Sequence, residues 1–189
     1  MGSRRLGRKR LVSLDKRGQS DTVTAGATGP QVTRQTIRRE GNKIVTEISV
    51  DLGHNSCVAE AADGDIIGQN GASDNTIATL TLATHGYITY AEMACLEVPV
   101  GASADIDLKS GSASDDAEGG APTNPNVLVT AGGAWTLGER IGAITADIDS
   151  ETDKFLYLCN GAGADAGTYT AGKYLITLEG IASDAVPDA

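Results

Sequence analysis

Aromatic side chains are nearly missing from this chain: one Trp, one Phe and five Tyr stand among 189 residues. Any core must therefore be assembled from Ile, Leu and Val with a few Tyr. Long apolar runs are missing too, and no stretch approaches the roughly 20 residues that a membrane-spanning helix requires. The first residues are charged, but they continue as Leu11-Val12-Ser13-Leu14-Asp15 rather than as the apolar stretch of a secretory signal. A protein of this kind is expected to be made in a cytoplasm and to leave a cell, if it does, by a route other than general secretion, of which cell lysis is one. Cysteine is scarce. Cys57, Cys95 and Cys159 are odd in number and far apart, which indicates no disulfide framework and offers no metal-ligand spacing, so reduced thiols are the plain reading.

What the chain does have is charge, and the charge is split. Residues 1–43 hold 11 Lys/Arg against 3 Asp/Glu, a balance of +8, whereas residues 44–189 hold 4 against 22, a balance of −18. Arg4, Arg5, Arg8, Lys9, Arg10, Lys16 and Arg17 form a cationic leader. A body so acidic repels copies of itself, while such a leader is drawn to acidic surfaces or polyanions.

The pattern reads as an arm followed by a sheet. Residues 1–30 show no sustained period, and Gly18 to Pro30 is rich in Thr, Gly and Ala, so a basic arm and linker is expected there, with a body over residues 31–189. Gln31–Arg39 and Lys43–Leu52 flank Gly41-Asn42, a Gly-first loop that closes a tight hairpin. Ile44, Thr46, Ile48, Val50 and Leu52 then share one face of the second strand and Val45, Glu47, Ser49 and Asp51 the other. Further strands are expected over Ile77–Ala83, with Ala78, Leu80 and Leu82 together, and over Tyr87–Val100, where Pro99 marks an edge or an end. Asp105–Leu108, Val127–Thr130, Ile141–Ile148, Phe155–Cys159 and Tyr174–Ile181 complete the set. Ser110–Pro125 reads as a mobile surface excursion. About eight short strands without a helical period predict an all-β fold, an antiparallel β-sandwich or jelly-roll-like barrel with an extended basic N-terminal arm.

Chemical motifs are few. The loop Gly161–Gly167 has the glycines of a phosphate cradle but leads through Thr168-Tyr169-Thr170 into a strand, not a helix, so a flexible hairpin loop is expected. Asp63, Asp65, Asp105, Asp107, Asp147, Asp149 and Asp153 include pairs spaced by two, which share a strand face where a cation such as calcium could sit. None follows a calcium-loop pattern. A solvated acidic surface is the expectation, with no metal and no cofactor assigned. His54 and His85 lie beside turns and read as exposed. Neither His85 with Cys95 nor a Ser-His-Asp set carries a local signature of catalysis, so no enzyme is expected.

The leader is then the motif with most to say. Its seven cations could neutralise phosphates, but the −18 body opposes binding to a polyanion and the leader has no ring to stack on bases. An acidic protein lattice or a sister subunit suits it better, with nucleic acid disfavoured and a membrane excluded.

The opening Met1-Gly-Ser-Arg-Arg-Leu-Gly-Arg-Lys-Arg-Leu-Val-Ser-Leu-Asp-Lys-Arg-Gly, the strand Ile44-Val-Thr-Glu-Ile-Ser-Val-Asp-Leu-Gly and the closing Phe155-Leu-Tyr-Leu-Cys-Asn-Gly through Tyr169-Thr-Ala-Gly-Lys-Tyr-Leu-Ile-Thr-Leu-Glu-Gly resemble small virion structural proteins of tailed bacteriophages, marine ones especially. The resemblance implies a capsid decoration (cement) protein, often trimeric, on the outer capsid surface with the major capsid protein as partner. Two alternatives stay open: a tail, collar or head-fibre protein, and a host-surface, lectin-like module using the loops Asp63–Asn75 and Ser110–Pro125.

Overall fold

The computed structural model describes residues 19–20, 32–54, 57–72, 74–114, 116–144, 154–163 and 165–182. The seven cations of the leader, and Asp147, Asp149 and Asp153, lie outside the described residues. Within them the protein is an all-β antiparallel sandwich. In chain order the elements are β1 (Gln19–Ser20), β2 (Val32–Glu40), β3 (Lys43–Asp51), β4 (Val58–Ala59), β5 (Ala78–Leu80), α1 (Leu82–His85), β6 (Tyr87–Val100), β7 (Ile106–Gly111), β8 (Asn126–Val129), β9 (Arg140–Ile144), β10 (Lys154–Asn160), β11 (Gly167–Thr168) and β12 (Ala171–Ile181).

The larger sheet has the order β1-β2-β3-β12-β6-β9 and the smaller the order β5-β10-β7-β8, while β11 pairs with β4. The β2–β3 hairpin turns at Gly41-Asn42 as expected, and Gly41 has φ +65°, a conformation that glycine adopts without the steric cost of a Cβ. On β3 the residues Ile44, Thr46, Ile48 and Val50 are buried while Glu47, Ser49 and Asp51 are half-exposed, so the alternation marks the core face, with Val45 of the other face buried as well. Pro99 is the penultimate residue of β6, where the missing N–H costs least. β1 lies inside the segment expected to be linker: Gln19 faces Arg38 and Ser20 faces Ile37 across the edge of β2.

The two sheets meet through one apolar cluster. Ile48 and Val50 of β3, Met93 and Cys95 of β6, and Ile176 and Leu178 of β12 pack with Leu108 of β7 and with Leu156 and Leu158 of β10. Trp135, from the segment between β8 and β9, closes this core. Its ring meets Tyr174 edge-on at 5.5 Å and 74°, and its Nε1–H donates to the Ile106 carbonyl at 2.8 Å. Tyr169 does the same from the other side, its hydroxyl donating to the Ser103 carbonyl at 2.8 Å. Trp135 and Tyr169 thus sit where a large ring is buried and its polar tip is satisfied.

Three expectations need correcting. The strand expected to run to Ala83 stops at Leu80. Thr81 then caps a helical turn, its Oγ1 accepting from Thr84 N–H, and Gly86 ends it. His85, in that turn, is buried at 3% exposure rather than exposed. The glycine-rich loop after β10 is not a hairpin connection either: β10 belongs to the smaller sheet and β12 to the larger, so the segment crosses between layers and contributes β11 on the way.

Candidate functional site

The outward face of the smaller sheet is where unusual chemistry collects. Strand alternation sends Ile106 and Leu108 of β7 into the core and turns Asp107 and Lys109 the other way, with Cys159 and Tyr157 of β10 as their partners in register. Such a face would ordinarily meet water. Here two loops fold over it. Ile66, Tyr157 and Cys159 make a second apolar cluster with Phe155 packed against it. Ile66 N–H donates to the Gly120 carbonyl at 2.9 Å and Gly119 N–H to the Ile66 carbonyl at 3.2 Å. Gly71 N–H reaches Glu118 Oε1 at 3.2 Å, and the Tyr157 hydroxyl donates to the Ala113 carbonyl. The segment expected to be a mobile excursion is therefore tied at several points to the loop Asp63–Asn75, and the two loops form one surface.

That surface is acidic. Glu60, Asp63, Asp65, Asp74, Asp116 and Glu118 lie on the loops, with Asp105 and Asp107 beneath them, and none of these carboxylates is ion-paired among the described residues. The exposed face of the larger sheet is different. There Arg38 pairs with Glu40 and Glu47, Lys43 with Glu179, Arg140 with Glu92, and Lys173 with Asp51 and Glu97. Each such exposed pair contributes little to stability, but together they offset much of the charge of that face, whereas the carboxylates of the covering loops have no such partners among the described residues. A shallow groove of about 400 Å³ lined by Asn42, Lys43, Thr89, Glu179, Gly180 and Ile181 crosses the larger sheet. Its two charges are spent on each other, Lys43 Nζ lying 2.6 Å from Glu179 Oε1.

Asp105 and Asp107 correct the expectation of a solvated acidic surface: they are only 8% and 7% exposed. Burial pushes the Asp107 carboxyl above its ordinary range, against the Ala131 N–H that donates to Oδ1 at 3.0 Å and the nearby Lys109. Burial also raises Asp105, and the charges of Asp107 and Asp63 add to it, against a hydrogen bond from the Gly133 backbone. The signal for this lay in Asp-Ile-Asp-Leu, but the covering loops that bury the acidic half of that alternation are remote in sequence.

The thiols are ill-suited to nucleophilic work. Burial pushes Cys57 up to about 11 and Cys159 to about 12, and raises Cys95 as well, so all three stay protonated near neutrality. His85 Nδ1 accepts the Thr81 N–H at 3.1 Å while Nε2 has no partner. His54, by contrast, is exposed beside its turn as expected. From the Gly161–Gly167 loop the chain passes into β11 and on to Tyr169, whose N–H donates to the Cys57 carbonyl at 2.8 Å, and among the described residues no helix N-terminus follows to face a phosphate. No family model, curated protein or solved structure matches the chain.

Proposed function

We propose that this chain is a structural subunit of a virus particle, of the capsid decoration type, that binds the outer shell of a tailed bacteriophage and bridges neighbouring capsid subunits. The observation that carries the reading is the separation of charge. Seven cations stand in the first 17 residues, while among the described residues Glu60, Asp63, Asp65, Asp74, Asp116 and Glu118, none of them ion-paired, lie on the loops that cover the smaller sheet. A compact sandwich with much of its charge offset on one broad face and acidic loops over the other is oriented by a cationic leader toward an acidic lattice, with its own acidic loops held outward by repulsion from that lattice. A trimer or another symmetric assembly would multiply the leaders. Contacts worth a fraction of a kcal/mol each then sum across many copies to a firm attachment that resists the outward pressure of packaged DNA.

The test is occupancy on shells stripped of this protein. Full-length chain should bind with affinity that falls as salt rises, and a chain lacking residues 1–17 should fail to bind. Undiminished occupancy of the truncated chain removes the reading. The joining of the loops Asp63–Asn75 and Ser110–Pro125 into one surface favours the second reading, a module that binds a host surface. Cell or glycan binding by the isolated body would select it, and a copy number in the tens rather than the hundreds would select a tail, collar or head-fibre position.

A further inference from the structure

Asparagine is followed directly by glycine twice in the chain, at Asn70-Gly71 and at Asn160-Gly161. In such a pair the backbone nitrogen of the glycine can reach the side-chain carbonyl carbon of the asparagine, because no Cβ obstructs ring closure. Local sequence makes the two pairs equivalent, and the fold separates them. Asn160 ends β10 and has no exposure. Its Nδ2 donates to the carbonyls of Glu60 at 2.5 Å and Ala62 at 3.5 Å, and the turn Asp63-Gly64-Asp65 grips its backbone, Gly64 N–H donating to its carbonyl and its own N–H to the Asp65 carbonyl, both at 2.9 Å. Gly161 N–H donates to the Asp105 carbonyl at 2.9 Å, and the Asp105 carboxylate fills the space beside Gly161. Ring closure there would break all of these bonds together. Asn70 and Gly71, by contrast, are the exposed middle of a turn that Ala72 N–H closes on the Gln69 carbonyl at 3.0 Å. Gly71 has φ +75°, and nothing lies within 4 Å of the place a Cβ would take. One further bond restrains it: Gly71 N–H donates to Glu118 Oε1 at 3.2 Å.

We infer that Asn70 is a site of spontaneous covalent modification, converting through a cyclic imide to aspartate and isoaspartate. The Gly71 nitrogen gives up its proton to hydroxide and attacks Cγ of Asn70. The N–Cγ bond forms, the Cγ–Nδ2 bond breaks, and ammonia leaves with a proton taken from water. A second water then opens the imide. Opening at Cγ restores the ordinary backbone with an aspartate in place of the asparagine, whereas opening at the main-chain carbonyl leaves isoaspartate, whose backbone runs through Cβ and is one methylene longer. Either product adds a carboxylate to a loop surface that already carries Asp63, Asp65, Asp74, Asp116 and Glu118, and the longer backbone draws Gly71 N–H away from Glu118. Glu118 slows the first step, because a carboxylate that accepts the amide proton disfavours its loss. The joined loops thus protect Asn70 while they stay joined, and conversion loosens them. The inference stands apart from the particle reading and concerns the body alone.

The second Asn-Gly pair supplies an internal control. Full-length protein is incubated in mildly alkaline buffer, once folded and once in urea, and the two sites are followed over time by digestion and mass spectrometry, with aspartate and isoaspartate peptides separated by chromatography. In urea the two pairs should convert at similar rates. In the folded protein Asn70 should yield both products while Asn160 lags by about tenfold or more, since its conversion waits on local opening. Glu118→Ala, which removes the acceptor of the Gly71 N–H at an exposed position, should speed conversion of Asn70 severalfold and leave Asn160 as slow as before. Folded protein in which Asn70 stays intact while the unfolded chain converts overturns the inference, and so does folded protein in which Asn160 keeps pace with Asn70. An unchanged rate at Asn70 in Glu118→Ala overturns the protective role of Glu118.

Discussion

Acidification should destabilise this sandwich through His85, and the size of the loss can be worked from its surroundings. The imidazole is 3% exposed, in the helical turn between β5 and β6. Burial lowers its pKa from 6.5 to about 4. Its Nδ1 accepts the Thr81 N–H at 3.1 Å, and only an unprotonated nitrogen can accept that bond, so geometry and burial both favour the neutral form. The unfolded chain therefore binds a proton between pH 6.5 and 4 that the folded chain refuses. Stability from this residue is fully present above pH 6.5 and is lost as pH falls toward 4, where the linkage amounts to about 3 kcal/mol at 1.36 kcal/mol per pKa unit. Asp105 and Asp107 act in the opposite sense. Their folded pKa values are raised, so the instability they cause sets in as pH rises past the ordinary carboxylate value and is relieved on acidification. The variant that isolates the histidine is His85→Asn, whose side-chain oxygen can keep the Thr81 N–H satisfied without titrating. Urea unfolding from pH 8 to pH 4 should show wild type losing about 3 kcal/mol more than His85→Asn across that range. Parallel curves for the two proteins would refute the reasoning.

Other perturbations follow from single contacts. Trp135→Phe strips the buried Ile106 carbonyl of its donor and shortens the edge contact with Tyr174, and should cost about 2–3 kcal/mol in urea unfolding; a loss under 0.5 kcal/mol would mean the indole does not close the core. Tyr157→Phe removes the bond to the Ala113 carbonyl, costing about 1 kcal/mol and speeding proteolysis within residues 112–123 before any global unfolding. Leu158→Ala, at the centre of the inter-sheet cluster with no exposed surface, should cost about 2–5 kcal/mol in the same assay. All three thiols should react with a maleimide only after denaturation, and rapid labelling of the native protein would contradict their burial.

The parts of the fold that could be read from sequence are those written in local pattern. The β2–β3 hairpin is announced by Gly41-Asn42 and by the alternation from Ile44 to Leu52, and both determine structure within a few residues. The helical turn at Leu82 was hidden because Ala78, Leu80 and Leu82 keep the period of a strand, while the Thr81 cap that ends the strand is a side-chain bond without periodicity. The crossover after β10 was read as a hairpin because turn residues tell where a chain bends and not which sheet it reaches. The candidate site was least legible. Asp105 and Asp107 look like the wet half of an alternating strand until the loops Asp63–Asn75 and Ser110–Pro125 close over that face.

The central claim is that the cationic leader holds an acidic sandwich to an acidic shell. The most direct measurement is the occupancy of full-length chain and of chain lacking residues 1–17 on shells depleted of this protein, counted by imaging across a series of salt concentrations. The account predicts near-complete occupancy for the full chain at low salt, a steep fall with added salt, and empty sites for the truncated chain at every concentration. Equal, salt-insensitive occupancy by both chains would contradict it.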